Sequence, residues 1–207
     1  MSETPKYYYP NRMGRVVFQS TEQVIGPDRF NTLITSTDNP DLFRLPPANL
    51  NKQVPFEAIS ALQAAIEAAF GIPAGRNINL QAGRQCLDKG LKQFDPILGI
   101  ADLPLRLMPV GMKFRVGLDV FARLFNTYSD QVVTIRSTPT HMLWIIERCP
   151  LCWGRKTDAP CCQLAQGLLE ESIFWGTGGR RYHIEEVECI GMGDPACVFQ
   201  IDKQPLD

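Results

Sequence analysis

The sequence predicts an α+β fold, in which N-terminal helices pack on a C-terminal antiparallel sheet. Two patterns carry that expectation. Apolar residues recur at helical spacing through residues 56–70 and 112–128. After residue 130, β-rich runs come in two pairs with a helical stretch between them, so helices are followed by β-β-α-β-β. The 207 residues, 44% of them hydrophobic, can bury a core and read as a single domain over 1–207.

The N-terminal arm, residues 1–15, carries Tyr7, Tyr8 and Tyr9 ahead of Pro10. Adjacent aromatics at a chain end suit packing on the chain's own core or on a partner subunit. Ser20 is expected to cap a short helix through Val24, and Pro27 to start another with Phe30, Leu33 and Ile34. Residues 38–53, with three prolines, read as a loop. Ile59, Leu62, Ile66 and Phe70 form one helical face, which Gly71 ends. A further helix is expected over 79–94. Phe114, Leu118, Phe121 and Phe125 make the stripe of a helix over 112–128, a stripe better read as core than as a cofactor box. Residues 131–137 and 140–147 form a hairpin about Thr138-Pro139. A helix over 160–175 follows, stopped by Gly176, Gly178 and Gly179. A second hairpin pairs 181–189 with 196–201.

Charge and composition exclude several classes of partner. A net charge of −1 offers no basic excess for nucleic acid. No stretch is long and apolar enough to span a bilayer. The polar N-terminus does not read as a secretory leader, so the expected compartment is the reducing cytoplasm, where stable disulfides are rare. Ser–His–Asp, HExxH, phosphate-loop and dinucleotide patterns are missing, so no catalytic residue is assigned. His141 and His183 fall in strands and read as packed or surface residues.

Six of the seven cysteines fall between residues 149 and 197. In a reducing compartment such a cluster reads first as a metal site. Asp158 as N-cap and Pro160 in the first turn would put Cys161 and Cys162 at a helix start, where thiolate is favoured. Cys189 ends one strand of the last hairpin and Cys197 opens the next. A helix start meeting a strand end therefore gathers Cys162, Cys189 and Cys197. For the fourth ligand, the C-x₂-C pair Cys149 and Cys152 is at hand, with Cys152 preferred. Glu186 is the oxygen alternative. Strict strand alternation turns it away from the face of Cys189, so its ligation requires a bulge. Four sulfurs suit zinc or an iron–sulfur cluster, and a mixed oxygen and sulfur set leans to zinc.

The spacing C-x₄-G from Cys162 to Gly167, then E-x₂-C-x₇-C at Glu186, Cys189 and Cys197 with Val198-Phe199 following, resembles the 4-vinyl reductase domain. The resemblance covers residues 105–202. The N-terminal half, with MGR at Met13 and AGR at Ala82, resembles the longer bacterial members of that family. Sensor domains of phenol-responsive transcription activators and the small subunits of the TRAPP tethering complex are relatives. The resemblance implies a TRAPP-like arrangement of helices on an antiparallel sheet, commonly a homodimer. It also implies zinc held by three cysteines and one glutamate, which here are Cys162, Glu186, Cys189 and Cys197. Cys149, Cys152 and Cys161 depart from the family pattern and bring an all-sulfur site, including an iron–sulfur cluster, into competition.

The expected function is a metal-binding sensor that takes an apolar small molecule between sheet and helices, with Trp144, Trp153 and Trp175 as candidate walls. A reductase or accessory protein in tetrapyrrole (bacteriochlorophyll) synthesis and a TRAPP-like assembly adaptor are the alternatives. An internal cavity would favour the sensor, a filled core with a broad exposed patch the adaptor. Polar Arg155, Lys156, Thr157 and Asp158 predict a solvent-reachable loop, through which oxidation of an iron–sulfur cluster would act as a switch.

Overall fold

The computed structural model describes residues 6–98 and 109–206. The first five residues of the arm and the start of the 105–202 segment fall outside them. Strand β1 (Tyr8–Pro10) leads into helix α1 (Asn11–Ile25), and Gly26, at φ 87°, turns the chain into α2 (Pro27–Thr35). A 3₁₀ turn (Pro40–Phe43) and strand β2 (Lys52–Pro55) precede α3 (Phe56–Phe70), α4 (Ile72–Leu98) and α5 (Val110–Tyr128). The C-terminal part runs β3 (Val132–Ser137), β4 (His141–Arg148), α6 (Gln163–Thr177), β5 (Tyr182–Glu188) and β6 (Cys197–Pro205). The expected α+β order is therefore present.

Several boundaries differ from expectation, each for a physical reason. Ser20 caps nothing. It is fully buried inside α1, which starts nine residues earlier because Pro10 supplies an extended entry and Asn11 is held by Asn49 and Gln53. The loop over 38–53 ends in strand: β1 and β2 form a two-stranded antiparallel sheet. Helix α4 begins at Ile72, since Pro73 is tolerated in a first turn, and runs well past both ends of 79–94. Helix α6 starts at Gln163, three residues later than expected. Residues 160–162 instead stay outside the helix and carry two thiols inward.

The main sheet is antiparallel in the order β3-β4-β6-β5. Trp144 and Ile146 of β4 and Cys197, Phe199 and Ile201 of β6 are buried in the main core with the helices, as alternation on one face requires. Ile145 and Val198 make a small separate cluster. The N-terminal arm is stitched to this body. Tyr8 N–H donates to Asp130 at 2.8 Å, and Tyr7 and Tyr9 pack against Phe56.

A close approach of backbones joins α4 to α6. A Cβ on Gly83 would lie 2.1 Å from the Leu164 carbonyl oxygen, and one on Gly167 would lie 2.0 Å from that of Leu80. Both helices thus meet backbone to backbone, which only glycine permits. Arg84 then bonds Glu170 at 2.6 Å across the crossing. The MGR motif works in a related way. Gly14 abuts the Val54 side chain, and Arg15 donates to the Pro46 carbonyl.

Gly83→Ala and Gly167→Ala should each destabilise the protein by at least about 2 kcal/mol, because the helices must separate. Gly176→Ala, where an added Cβ meets nothing within 4 Å, should be neutral or stabilising by up to about 1 kcal/mol through helix propensity. Urea unfolding midpoints of the three variants check the contrast.

Candidate metal centre

Four chain segments deliver sulfur to one place. Cys149 and Cys152 leave the end of β4, Cys161 and Cys162 precede α6, Cys189 follows β5 and Cys197 opens β6. All six are 0–1% exposed. Their Sγ atoms are separated by 3.7 Å for Cys149–Cys162, 3.4 Å for Cys152–Cys197, 3.8 Å for Cys162–Cys197, 3.9 Å for Cys162–Cys189 and 4.0 Å for Cys189–Cys197. The edge of a sulfur tetrahedron around zinc is about 3.8 Å for Zn–S bonds of about 2.3 Å. The spacing therefore fits the donor set of a tetrahedral ion.

Two four-ligand groups emerge, each with its donor atoms within 4.8 Å of one another. One is Cys149, Cys152, Cys162 and Cys197; the other is Cys162, Glu186, Cys189 and Cys197. Every sequence-predicted ligand is thus in one group or the other. The preferred fourth donor, Cys152, and its oxygen rival, Glu186, both reach the cluster. Cys161 stays outside both groups, with its Sγ 3.8 Å from that of Cys189.

Glu186 reaches the site through a bulge. The pairing of β5 with β6 shifts between Glu186, opposite Phe199, and Glu188, opposite Val198. The extra residue leaves Val187 and Glu188 exposed in succession, so that both Glu186 and Cys189 are buried. The Cys162 N–H donates to Glu186 Oε2 at 2.8 Å. Glu186 Oε1 is buried and accepts no hydrogen bond among the described residues, a costly state for a carboxylate that an adjoining cation would relieve.

Burial pushes the Cys149 and Cys162 thiols above their ordinary range. It also pushes Glu186 up to about 8, with the neighbouring Cys189 adding to the effect. Hydrogen bonds from the surrounding thiols, Cys152 first, pull Cys189 down. Without a cation the cluster retains most of its protons; a bound metal displaces them and supplies the missing positive charge.

The loop over 149–162 is reachable by solvent only in part: Gly154, Lys156 and Asp158 are exposed, while its four cysteines are buried. Helix α3 holds it. Ser60 Oγ donates to the Trp153 carbonyl at 2.7 Å, Gln63 Nε2 to the Leu151 carbonyl at 3.0 Å, and Trp153 Nε1 to Glu57 at 3.1 Å. Arg155 turns inward to Glu67 at 2.5 Å, with both side chains about nine-tenths buried. From the other side Thr157 N–H bonds the Gly191 carbonyl, and Gly191 packs on Thr157 and Cys161. Lys156 and Asp158 alone of the four polar residues face solvent. An oxidant therefore meets sealed thiols. His141 bonds Asp202 and His183 is exposed, so neither belongs to the centre.

An apolar cavity of about 90 Å³ lies beside the cluster. Val16 and Val17 of α1, Leu87 and Leu91 of α4, Phe121 and Phe125 of α5 and Trp144 of β4 are among its walls. The Tyr9 hydroxyl, which donates to buried Gln131 Oε1, supplies a polar corner. Of the three tryptophans, only Trp144 lines it. Trp153 packs edge-on against Tyr7 and Phe56, and Trp175 is 44% exposed. The contributions of Tyr9, Cys86 and Gln131 were not legible in the sequence. Periodicity marks a helix face but not a void beside it.

Residues 142–203 match the family model of the 4-vinyl reductase domain, the family of the sequence resemblance. No curated protein sequence matches the chain. An H-NOX protein from S. oneidensis in the Fe(II)NO ligation state superposes with a TM-score of 0.56 and 12% identity, over 93% of this chain and 99% of that one. An unliganded Fe(II) H-NOX protein from K. algicida gives 0.54 and 11%, over 94% and 96%. The phenol-responsive sensory domain of the transcription activator PoxR, bound to phenol, gives 0.48 and 15%, over 71% and 73%. The chain shares the H-NOX fold. Among the described residues no helix is long and apolar enough to cross a membrane.

Arg155→Met should cost about 3 kcal/mol, because it leaves Glu67 charged and buried without a partner. Converting Glu67 to Met as well should recover most of that loss. Urea unfolding of the single and double variants measures the coupling.

Proposed function

From a chain that carries a 4-vinyl reductase domain at residues 142–203, we propose a cytoplasmic, metal-binding sensor module that takes a compact apolar molecule into its internal cavity. One observation carries the reading: the metal centre and the cavity share a wall. Leu151, between Cys149 and Cys152, and Leu164 and Ala165, two and three residues after Cys162, all line the cavity. A ligand that repositions these side chains moves the backbone that carries the thiols. Coupling of this kind works in both directions, so metal occupancy also sets the shape of the cavity.

The cavity selects by size and polarity. Binding sites for drug-sized ligands occupy about 300–1,000 Å³, and this one is far smaller. It suits a single ring or a short apolar chain with one polar group placed against Tyr9 and Gln131. Burial raises the Tyr9 hydroxyl well above its ordinary range, so it carries no charge, and with its proton given to Gln131 it can accept a hydrogen bond from a ligand. Haem, the subject of one fold neighbour, does not fit. Among the described residues no histidine lines the cavity, and a porphyrin exceeds its volume.

For the metal, the sulfur spacing favours zinc over an iron–sulfur cluster. Sulfurs 3.4–4.0 Å apart close directly on an ion. A cluster places sulfide between its irons and spreads the cysteines further apart. A metal held there ties α6, the β4 loop and the β5–β6 turn together. The cavity also favours the sensor over the adaptor alternative. The same reading includes a homodimer formed through helical surface, where Met112 and Trp175 remain exposed.

Gly90 lines the cavity from α4, and a Cβ placed there meets nothing within 4 Å. Gly90→Leu should fill the void, lower affinity for single-ring apolar ligands by at least about 10-fold, and leave metal content unchanged. The quenching of Trp144 fluorescence in a ligand series measures it; equal affinity in the variant would remove the cavity from the proposal. Sedimentation at micromolar concentration should show a dimer. A single species of 23.2 kDa would overturn that part.

A further inference from the structure

The two ligand groups overlap. They share Cys162 and Cys197, whose sulfurs lie 3.8 Å apart, the length of one tetrahedral edge. On one side of that edge stand Cys149 and Cys152; on the other stand Cys189 and Glu186. This is the donor arrangement of two tetrahedra joined along an edge. We propose that the centre holds two divalent ions of the zinc type, with Cys162 and Cys197 as bridging thiolates. The inference rests on the metal-binding reading above and extends it to a second ion.

Donor bookkeeping supports the second ion. One ion in the Cys149–Cys152 group leaves Glu186 Oε1 buried and unpartnered. One ion in the Glu186–Cys189 group leaves Cys149 and Cys152 as fully buried thiols with no role for their C-x₂-C spacing. Two ions use all six donors. Charge points the same way: five thiolates and a carboxylate carry six negative charges, and two divalent cations offset four of them. A bridging thiolate also carries less charge per metal than a terminal one, which suits a site closed to water. The bridge sulfurs occupy protected positions. Cys162 is the N-cap residue of α6, and Cys197 Sγ accepts the Ile190 N–H at 3.4 Å. Uptake balances simply: each ion enters as a hydrated divalent cation, thiols release protons to solvent, and no electron transfer takes place.

Titration of metal-free full-length protein with Co(II), under anaerobic conditions, tests the proposal. Two equivalents should bind per chain. The first should give the visible bands and paramagnetic signal of a tetrahedral thiolate site. The second should raise the sulfur-to-cobalt absorption further while the paramagnetic signal falls, because ions bridged by thiolate couple antiferromagnetically. Cys149→Ser/Cys152→Ser and Glu186→Gln/Cys189→Ser should each keep one ion and lose that coupling. Cys162→Ser should reduce binding to below one. If a variant fails to fold, the wild-type titration alone decides. One equivalent in the wild type overturns the second ion and leaves the single-metal reading standing. Two equivalents with additive paramagnetism overturn the bridge. Iron with acid-labile sulfide in the protein as purified overturns the pair of divalent ions, and no binding at all overturns both readings.

Discussion

Six thiols and a carboxylate share a volume from which water is excluded, and the C-terminal half of the chain is arranged around that fact. Thiols are weak hydrogen-bond donors and acceptors, so contacts of 3.4–4.0 Å among them return little of what ordering four chain segments costs. Burial by itself also favours the protonated form of each. A bound cation would reverse the balance: it would draw the donors together, release their protons, and turn a poorly bonded cluster into a strong tie. A domain of this size has enough apolar core elsewhere to fold, so the centre is better understood as fixing the relative positions of α6, the β4 loop and the β5–β6 turn than as supplying the core.

That positional role joins the centre to the cavity. Cys162 ends where α6 begins, and the first turns of α6 present Leu164, Ala165, Leu168 and Leu169 to the void. The C-x₂-C loop contributes Leu151 from between its two sulfurs. On the far side of that loop, helix α3 supplies four polar anchors, the Arg155–Glu67 pair among them. The loop is thus clamped between a rigid helix and the thiol cluster, with one apolar side chain facing the cavity. Such an element transmits a change in cavity contents if its two positions differ in metal geometry, because a ligand shifts an equilibrium only by its differential affinity for the states.

Much of this was legible in the sequence. The order of elements, the two hairpins, the Ile59–Ile66 face and the convergence of Cys162, Cys189 and Cys197 follow from period and spacing. Two features were not. Strand alternation put Glu186 and Cys189 on opposite faces and made ligation by Glu186 conditional on a bulge; that bulge leaves no mark in a single sequence and shows only in the pairing of Glu186 and Glu188 with consecutive β6 residues. The polar stretch Arg155–Asp158 looked like a solvated loop, because the partner that draws Arg155 inward, Glu67, lies 88 residues away. Local composition reports what a residue can do in water, not which distant charge will meet it. The arm, too, became informative only through β2 and Asp130.

The glycine five residues after Cys162 gives the C-x₄-G spacing a physical meaning. Five residues of helix advance about 7.5 Å, which is the offset between the N-cap cysteine, Cys162, and the point where α6 touches the α4 backbone. Gly167 has no room for a Cβ, and its counterpart Gly83 has none against Leu164. The crossing therefore fixes the depth at which α6 sits, and with it the height of Cys162 above the sheet. Ile146, in the β4 strand that leads to Cys149, pairs with Cys197 across the sheet. Metal geometry tolerates errors of only about 0.2 Å in its bond lengths. A side chain at either glycine would displace Cys162 by much more than that. If the centre holds a metal, helix packing and metal chemistry impose one shared requirement on the chain, and a glycine that touches no ligand belongs to the same motif as the cysteine.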